Sequence, residues 1–107
     1  MSMSDQTKIP DRVRKRVKAR DSITMFPNCI YCGSPRNIEL AHYVPRSRGG
    51  RGIESNLACL CHNCHEAMDN GANPKLAEDI RKTFRDWLKQ NYKGWTEEAQ
   101  VYKKWRE

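Results

Sequence analysis

No apolar run in this chain approaches the roughly 18 residues needed to cross a bilayer, so a membrane-spanning helix is not expected. The opening "MSMSDQTKIP" lacks the apolar centre of a secretory signal, so no export is expected either. The five cysteines are odd in number, which speaks against a closed disulfide framework and for thiol ligands in a reducing cytoplasm. Internal repeats and low-complexity segments are both missing. Hydrophobic residues are scarce too, at 37% of 107, which fits one domain with a lean core. Chains of this kind make up the deficit with a metal or a partner.

What the chain does carry is positive charge. A net +7 and a pI near 9.4 favour a polyanionic partner, most simply nucleic acid. The first eight residues are polar and read as disordered. The stretch "KIPDRVRKRVKARDS" then sets Val13 and Val17 four apart, which predicts a short helix with a narrow apolar stripe. Arg12, Arg14, Lys15, Arg16, Lys18 and Arg20 surround that stripe, six basic residues in nine positions. We read residues 1–26 as a basic arm that contacts phosphates.

Further on, "PNCIYCGSP" is a knuckle-like turn, "NIELAHYV" has strand composition, and "LACLC" reads as a short return strand. A helix from about Asn63 to Met68 should stop at Asn70-Gly71, and another should begin where Asn73 caps Pro74. In that second helix Leu76, Ile80, Phe84, Trp87 and Leu88 recur at helical spacing and read as core. After Lys93-Gly94, "TEEAQVYKKW" predicts a final short helix capped by Thr96. The expected division is an arm at 1–26, a metal-clamped core at 27–72, and helices packing on it at 73–107.

Two sites emerge from ligand chemistry. Cys29-x-x-Cys32 and Cys61-x-x-Cys64 are paired thiols that together complete a tetrahedral four-sulfur zinc site. The 28 residues between Cys32 and Cys61 exceed the usual ribbon spacer, so the ion should pin the base of a hairpin. That role is structural, since four sulfurs leave no open coordination position. A redox use of the pairs explains less. Cys59 is left over and reads as an inert buried thiol, although on a strand it would share a face with Cys61.

All three histidines lie between residues 42 and 65. Zinc would hold the hairpin against the following helix, so that His42 and His65 face a common cleft. Asp69 follows His65 by four residues on the same helical face, and the two form a half-shell for a harder divalent ion. His62, inside the knuckle, is a poorer candidate ligand. Arg46, Arg48 and Arg51, in the Gly-rich loop "PRSRGGRGIESN", are placed to grip phosphates.

The combination of "CIYCG", "IELAHYVPRSRGG", "IESNLACLC" and "CHNCH" resembles the HNH endonucleases, in their zinc-containing four-cysteine branch. The likeness runs from roughly Arg12 to Gly71. It implies an α+β fold, a small zinc-stabilised ββα-metal domain with flanking helices. It also implies hydrolysis of DNA phosphodiester bonds. His42 would be the general base, Asn56 would orient the loop and that base, and His65 would ligate Mg²⁺ or Mn²⁺. Many members carry Asp or His just before the first histidine as a further ligand, whereas this chain has Ala41. The reading favours Asp69 as the replacement, with Glu39 or water as alternatives. A monomer with one such site should nick, with weak sequence preference, aided by Arg12 and Arg16. The rival reading is a zinc module that binds nucleic acid without cutting it.

Overall fold

The computed structural model describes residues 3–23 and 25–103. Its centre is an antiparallel hairpin of β1 (Ile38–His42) and β2 (Leu57–Cys61), with Ile38 opposite Cys61 and His42 opposite Leu57. Aliphatic residues dominate these strands, and the side-chain alternation sends their residues to two different cores. Leu57 and Cys59 pack with Val13 and Val17, whereas Ala41, Ala58 and Leu60 pack with Met68, Ile80, Phe84 and Leu88. All five residues of β2 are buried, so this strand is the spine of the molecule.

Helix α1 (Met3–Thr7) and helix α2 (Asp11–Arg20) precede the hairpin. The expectation that the first eight residues are disordered is overturned for those described, Met1 and Ser2 lying outside them. Thr7 is buried, and the Gln6 carbonyl accepts a hydrogen bond from the Gly52 amide at 2.9 Å. A tertiary partner, invisible in local composition, orders this polar segment. On α2, Val13 and Val17 are buried as their spacing predicts. Arg20 extends the same stripe by one turn and turns inward rather than towards a phosphate. Its guanidinium donates to the carbonyls of Glu54 and Leu57 and grips Asp21 with two bonds, at 2.7 and 2.9 Å.

Asp21 is 4% exposed and is the polar hub of the fold. Beyond Arg20, its carboxylate accepts from the Trp87 indole N–H at 2.9 Å and from the Cys59 amide at 2.8 Å. One side chain thus ties α2, β2 and the helix that carries Trp87 together, its charge paired with that of Arg20.

Helix α3 (His62–Asn70) follows β2 directly and ends at Gly71. A Cβ at Gly71 would fall 2.5 Å from the Ala67 carbonyl oxygen, so only glycine fits this exit. Helix α4 (Pro74–Asn91) begins as expected, with the Asn73 side chain accepting from the Leu76 amide. Ile80, Phe84 and Leu88 are core residues. Leu76 is not: it lies in the first turn, ahead of the stretch that meets the sheet, and stands exposed. Trp87 is half-buried, held by its bond to Asp21.

The expected final helix is also corrected. Thr96 does accept from the Ala99 amide, but only one 3₁₀ turn, Glu98–Gln100, forms before the chain extends. Val101 then pairs with Gly50, and the Tyr102 amide donates to the Gly49 carbonyl at 2.7 Å. Pairing with the arginine-bearing loop displaces local helical bonding. Residues 104–105 of the expected helix lie outside the described residues.

Candidate active site

The first cysteine pair precedes β1 and the second closes β2, where Ile38 faces Cys61, so the two converge at the open end of the hairpin. The Sγ atoms of Cys29, Cys32, Cys61 and Cys64 all lie within 4.8 Å of one another, and those of Cys32 and Cys61 are 3.6 Å apart. Ligands about 2.3 Å from a tetrahedral zinc are separated by roughly 3.8 Å, so the donor set fits that ion. Each knuckle has an amide turned onto its first sulfur, Cys32 N to Cys29 and Cys64 N to Cys61, both at 3.5 Å. Gly33, at φ 82°, closes the first turn in a conformation that other residues avoid. Among the described residues this is the one such cluster of metal-ligating side chains.

Cys59 takes no part. It is fully buried beside Val13 and Val17, and burial together with the Asp21 carboxylate pushes its thiol up to about 12. It is therefore inert: the face expected to be shared with Cys61 does not bring it to the sulfur cluster, because Cys59 packs with Val13 and Val17 while Cys61, at the strand's end, belongs to the other core.

His42 ends β1, and His65 lies in α3. Both line one open cleft of about 380 Å³, together with Ile9, Arg14, Leu40, Pro45, Arg46 and Asp69. The cleft is therefore walled partly by the N-terminal segment. His42 is half-buried, and burial holds its imidazole below the ordinary 6.5. The nearby Arg46 charge acts in the same direction, while a bond to the Thr7 carbonyl opposes it. A carbonyl oxygen can only accept, so the 3.0 Å contact places the ring proton on Nε2 of His42. In the neutral ring, Nδ1 is then the nitrogen free to take a proton.

His65 is held from two sides. Its Nδ1–H donates to Glu39 Oε1 at 2.8 Å, and its Nε2 lies 3.2 Å from Asp69 Oδ2. With the proton on Nδ1, a neutral ring turns an electron pair towards the Asp69 carboxylate. A cation between or beside the two atoms would relieve this meeting of electron pairs. Adjacent ligands of an octahedral ion with bonds of about 2.1 Å are about 3.0 Å apart, close to the separation seen here. His65 and Asp69 thus fit a small divalent ion with open positions.

Glu39 lies on the other side. Its second oxygen accepts from His62 Nδ1 at 2.9 Å, and it lines a separate concavity with Asn37, Ile38 and His62. The two histidine bonds hold its carboxyl below the usual range, and its hydrogen bond, helped by its charge, raises the exposed His62. Its bond to Nδ1 fixes the orientation of the His65 ring. Ala41 is fully buried in the α4-side core.

Asn56 is completely buried and spans the loop. Its Oδ1 accepts from the Val44 amide at 2.9 Å, and its Nδ2 donates to the carbonyls of Val44 and Arg51 at 3.2 and 2.9 Å. The two ends of the segment that follows His42 are thereby locked together. Of the loop arginines, Arg46 lines the cleft; Arg48 is exposed and Arg51 half-buried, neither lining it. On α2, Arg12 and Arg16 are exposed, and Arg16 lies 3.9 Å from Glu54. Arg14, not singled out among its basic neighbours, is the one of these that reaches the cleft. Helical rotation offered a signal, since Arg14 directly follows the buried Val13.

Residues 29–71 match the family model described as HNH endonuclease, a shorter stretch than the 12–71 of the sequence resemblance. No curated protein matches the chain. Among solved structures it is similar to the Type IV phosphorothioation-dependent restriction endonuclease ScoMcrA, at 26% identity and a TM-score of 0.40. That likeness covers 75% of this chain and 15% of the other.

Proposed function

We propose, from the premise that residues 29–71 form an HNH endonuclease domain, that this chain is a divalent-metal-dependent DNA endonuclease that nicks one strand with little sequence preference. The observation that carries the reading is the shared cleft: His42, whose burial favours the neutral imidazole, lines one pocket with His65, Asp69, Arg14 and Arg46.

In this mechanism a water molecule attacks the scissile phosphorus while His42 Nδ1 takes its proton. The bond from phosphorus to the 3′ oxygen breaks, leaving a 5′-phosphate and, after protonation by solvent, a 3′-hydroxyl. His65 and Asp69 would hold Mg²⁺ or Mn²⁺, and Glu39 would set the ring of His65 for that task. When bound, the ion polarises the phosphate and offsets charge on the leaving 3′ oxygen. Asn56 keeps the loop after His42 from unwinding, so the base stays at the cleft. Arg46 and Arg14 would compensate the phosphate's growing charge, and Arg48, Arg51, Arg12 and Arg16 would bind the flanking backbone. The four-cysteine zinc is structural, pinning the hairpin to α3. Residues 1–26 serve as the arm, 27–72 as the catalytic core and 73–107 as its buttress, in a protein working in the cytoplasm.

Supercoiled plasmid tests the reading. Wild type with Mg²⁺ or Mn²⁺ should yield open circles, and His42→Ala should lose about 10²- to 10⁴-fold in rate while still binding DNA. If the plasmid stays intact with wild type across several metals, the chain is a zinc-stabilised binding module instead.

A further inference from the structure

We infer that the strap Gln6–Ile9, which lies outside the matched domain, is a positioning element for catalysis, its Thr7 carbonyl holding the ring of His42. The inference rests on the assignment of His42 as the base.

Four observations place the strap on a fixed track. The Thr7 carbonyl accepts from His42 Nε2 at 3.0 Å, and Thr7 is only 2% exposed. One residue earlier, the Gln6 carbonyl accepts from the Gly52 amide at 2.9 Å. One residue later, the main chain runs so close to Gly52 that a Cβ there would fall 1.8 Å from the Lys8 carbonyl oxygen. Ile9 then lines the cleft itself. Consecutive backbone groups therefore grip the loop and the base together.

The physical consequence concerns the ring rather than the fold. His42 ends its strand, and among the described residues no other group hydrogen-bonds its imidazole. A ring anchored at Nε2 presents Nδ1 along one direction. A ring without that anchor samples other orientations about its side-chain torsions, most of them unproductive. The strap should thus act on turnover and leave zinc binding and DNA affinity alone.

The full chain can be assembled with a single atom changed. Cys29 is a natural ligation point, so a synthetic peptide of residues 1–28 can be joined to residues 29–107 and refolded with zinc. Replacing Lys8 by its α-hydroxy analogue turns the Thr7 carbonyl into an ester carbonyl, a weaker acceptor. We expect kcat to fall about three- to tenfold with KM and zinc content unchanged. The His42 Nε2 proton should also exchange faster with solvent in NMR spectra. The same ester moved to the Met25–Phe26 bond should change neither. Gly52→Ala, which pushes the strap away, should lose more activity, and if that variant fails to fold the ester still decides.

An active protein whose kcat ignores the Thr7 ester would overturn the inference, whether or not proton exchange quickens. A native protein that cuts no DNA would instead defeat the nuclease reading on which the inference rests.

Discussion

Asp69 Oδ2 approaches Nε2 of His65 to 3.2 Å, while Glu39 holds the opposite nitrogen of the same ring. Two carboxylates on one imidazole have different duties, because only Asp69 shares the cleft with His42. Asp69→Ala should therefore weaken Mn²⁺ binding more than Glu39→Gln does. For the supporting residue we expect about a 10- to 100-fold loss of affinity. Titration of zinc-loaded protein with Mn²⁺, followed by electron paramagnetic resonance, measures both. The reverse order would make Glu39 the ligand.

The half-buried imidazole of His42 sets a pH dependence. Its folded value lies below the unfolded 6.5, chiefly through burial, so the neutral form survives to lower pH than in a free histidine. The acidic limb of kcat should accordingly have its midpoint below 6.5. Stability follows the same sign: this contribution is complete above 6.5 and is lost as pH falls through the folded value. NMR titration of His42, alongside denaturation of wild type and His42→Gln at several pH values, checks both statements. A midpoint above 6.5 would contradict the burial argument.

Removing a sulfur from the clamp should remove the fold as well. A structural zinc contributes on the order of 10 kcal/mol in small domains, so Cys29→Ser or chelation should abolish cooperative unfolding. Cys59→Ala, by contrast, should keep one equivalent of zinc and cost about 1–2 kcal/mol. In the native protein Cys59, with its thiol near 12, should resist alkylation at pH 8. Mass spectrometry after iodoacetamide treatment reads this directly.

The Asp21 hub makes a sharper stability claim. Asp21→Ala takes the counter-charge from the half-buried Arg20 guanidinium and the acceptor from the Trp87 indole and the Cys59 amide at once. A loss of about 3–5 kcal/mol is expected, with zinc retained. Urea unfolding of the zinc-loaded variant measures it, and a change under 1 kcal/mol would show that the hub is dispensable.

Spacing and periodicity were enough for much of this molecule. Two short thiol pairs can bend around one ion wherever they occur. Val13 with Val17, and Ile80 with Phe84 and Leu88, repeat at the interval of a helix, and Asp69 follows His65 at the interval that stacks side chains on one face. Those rules act within a few residues, so local sequence carries them. Long-range geometry decided the rest. Arg20 turned inward because Asp21 and two distant carbonyls waited there. Leu76 stayed exposed because the sheet ends before it. The last segment straightened to pair with Gly50, and the N-terminal strap became ordered by meeting Gly52 and His42. Each of these depends on groups far apart in the chain whose hydrogen-bonding needs are met only once the layers have packed, and no local pattern encodes that.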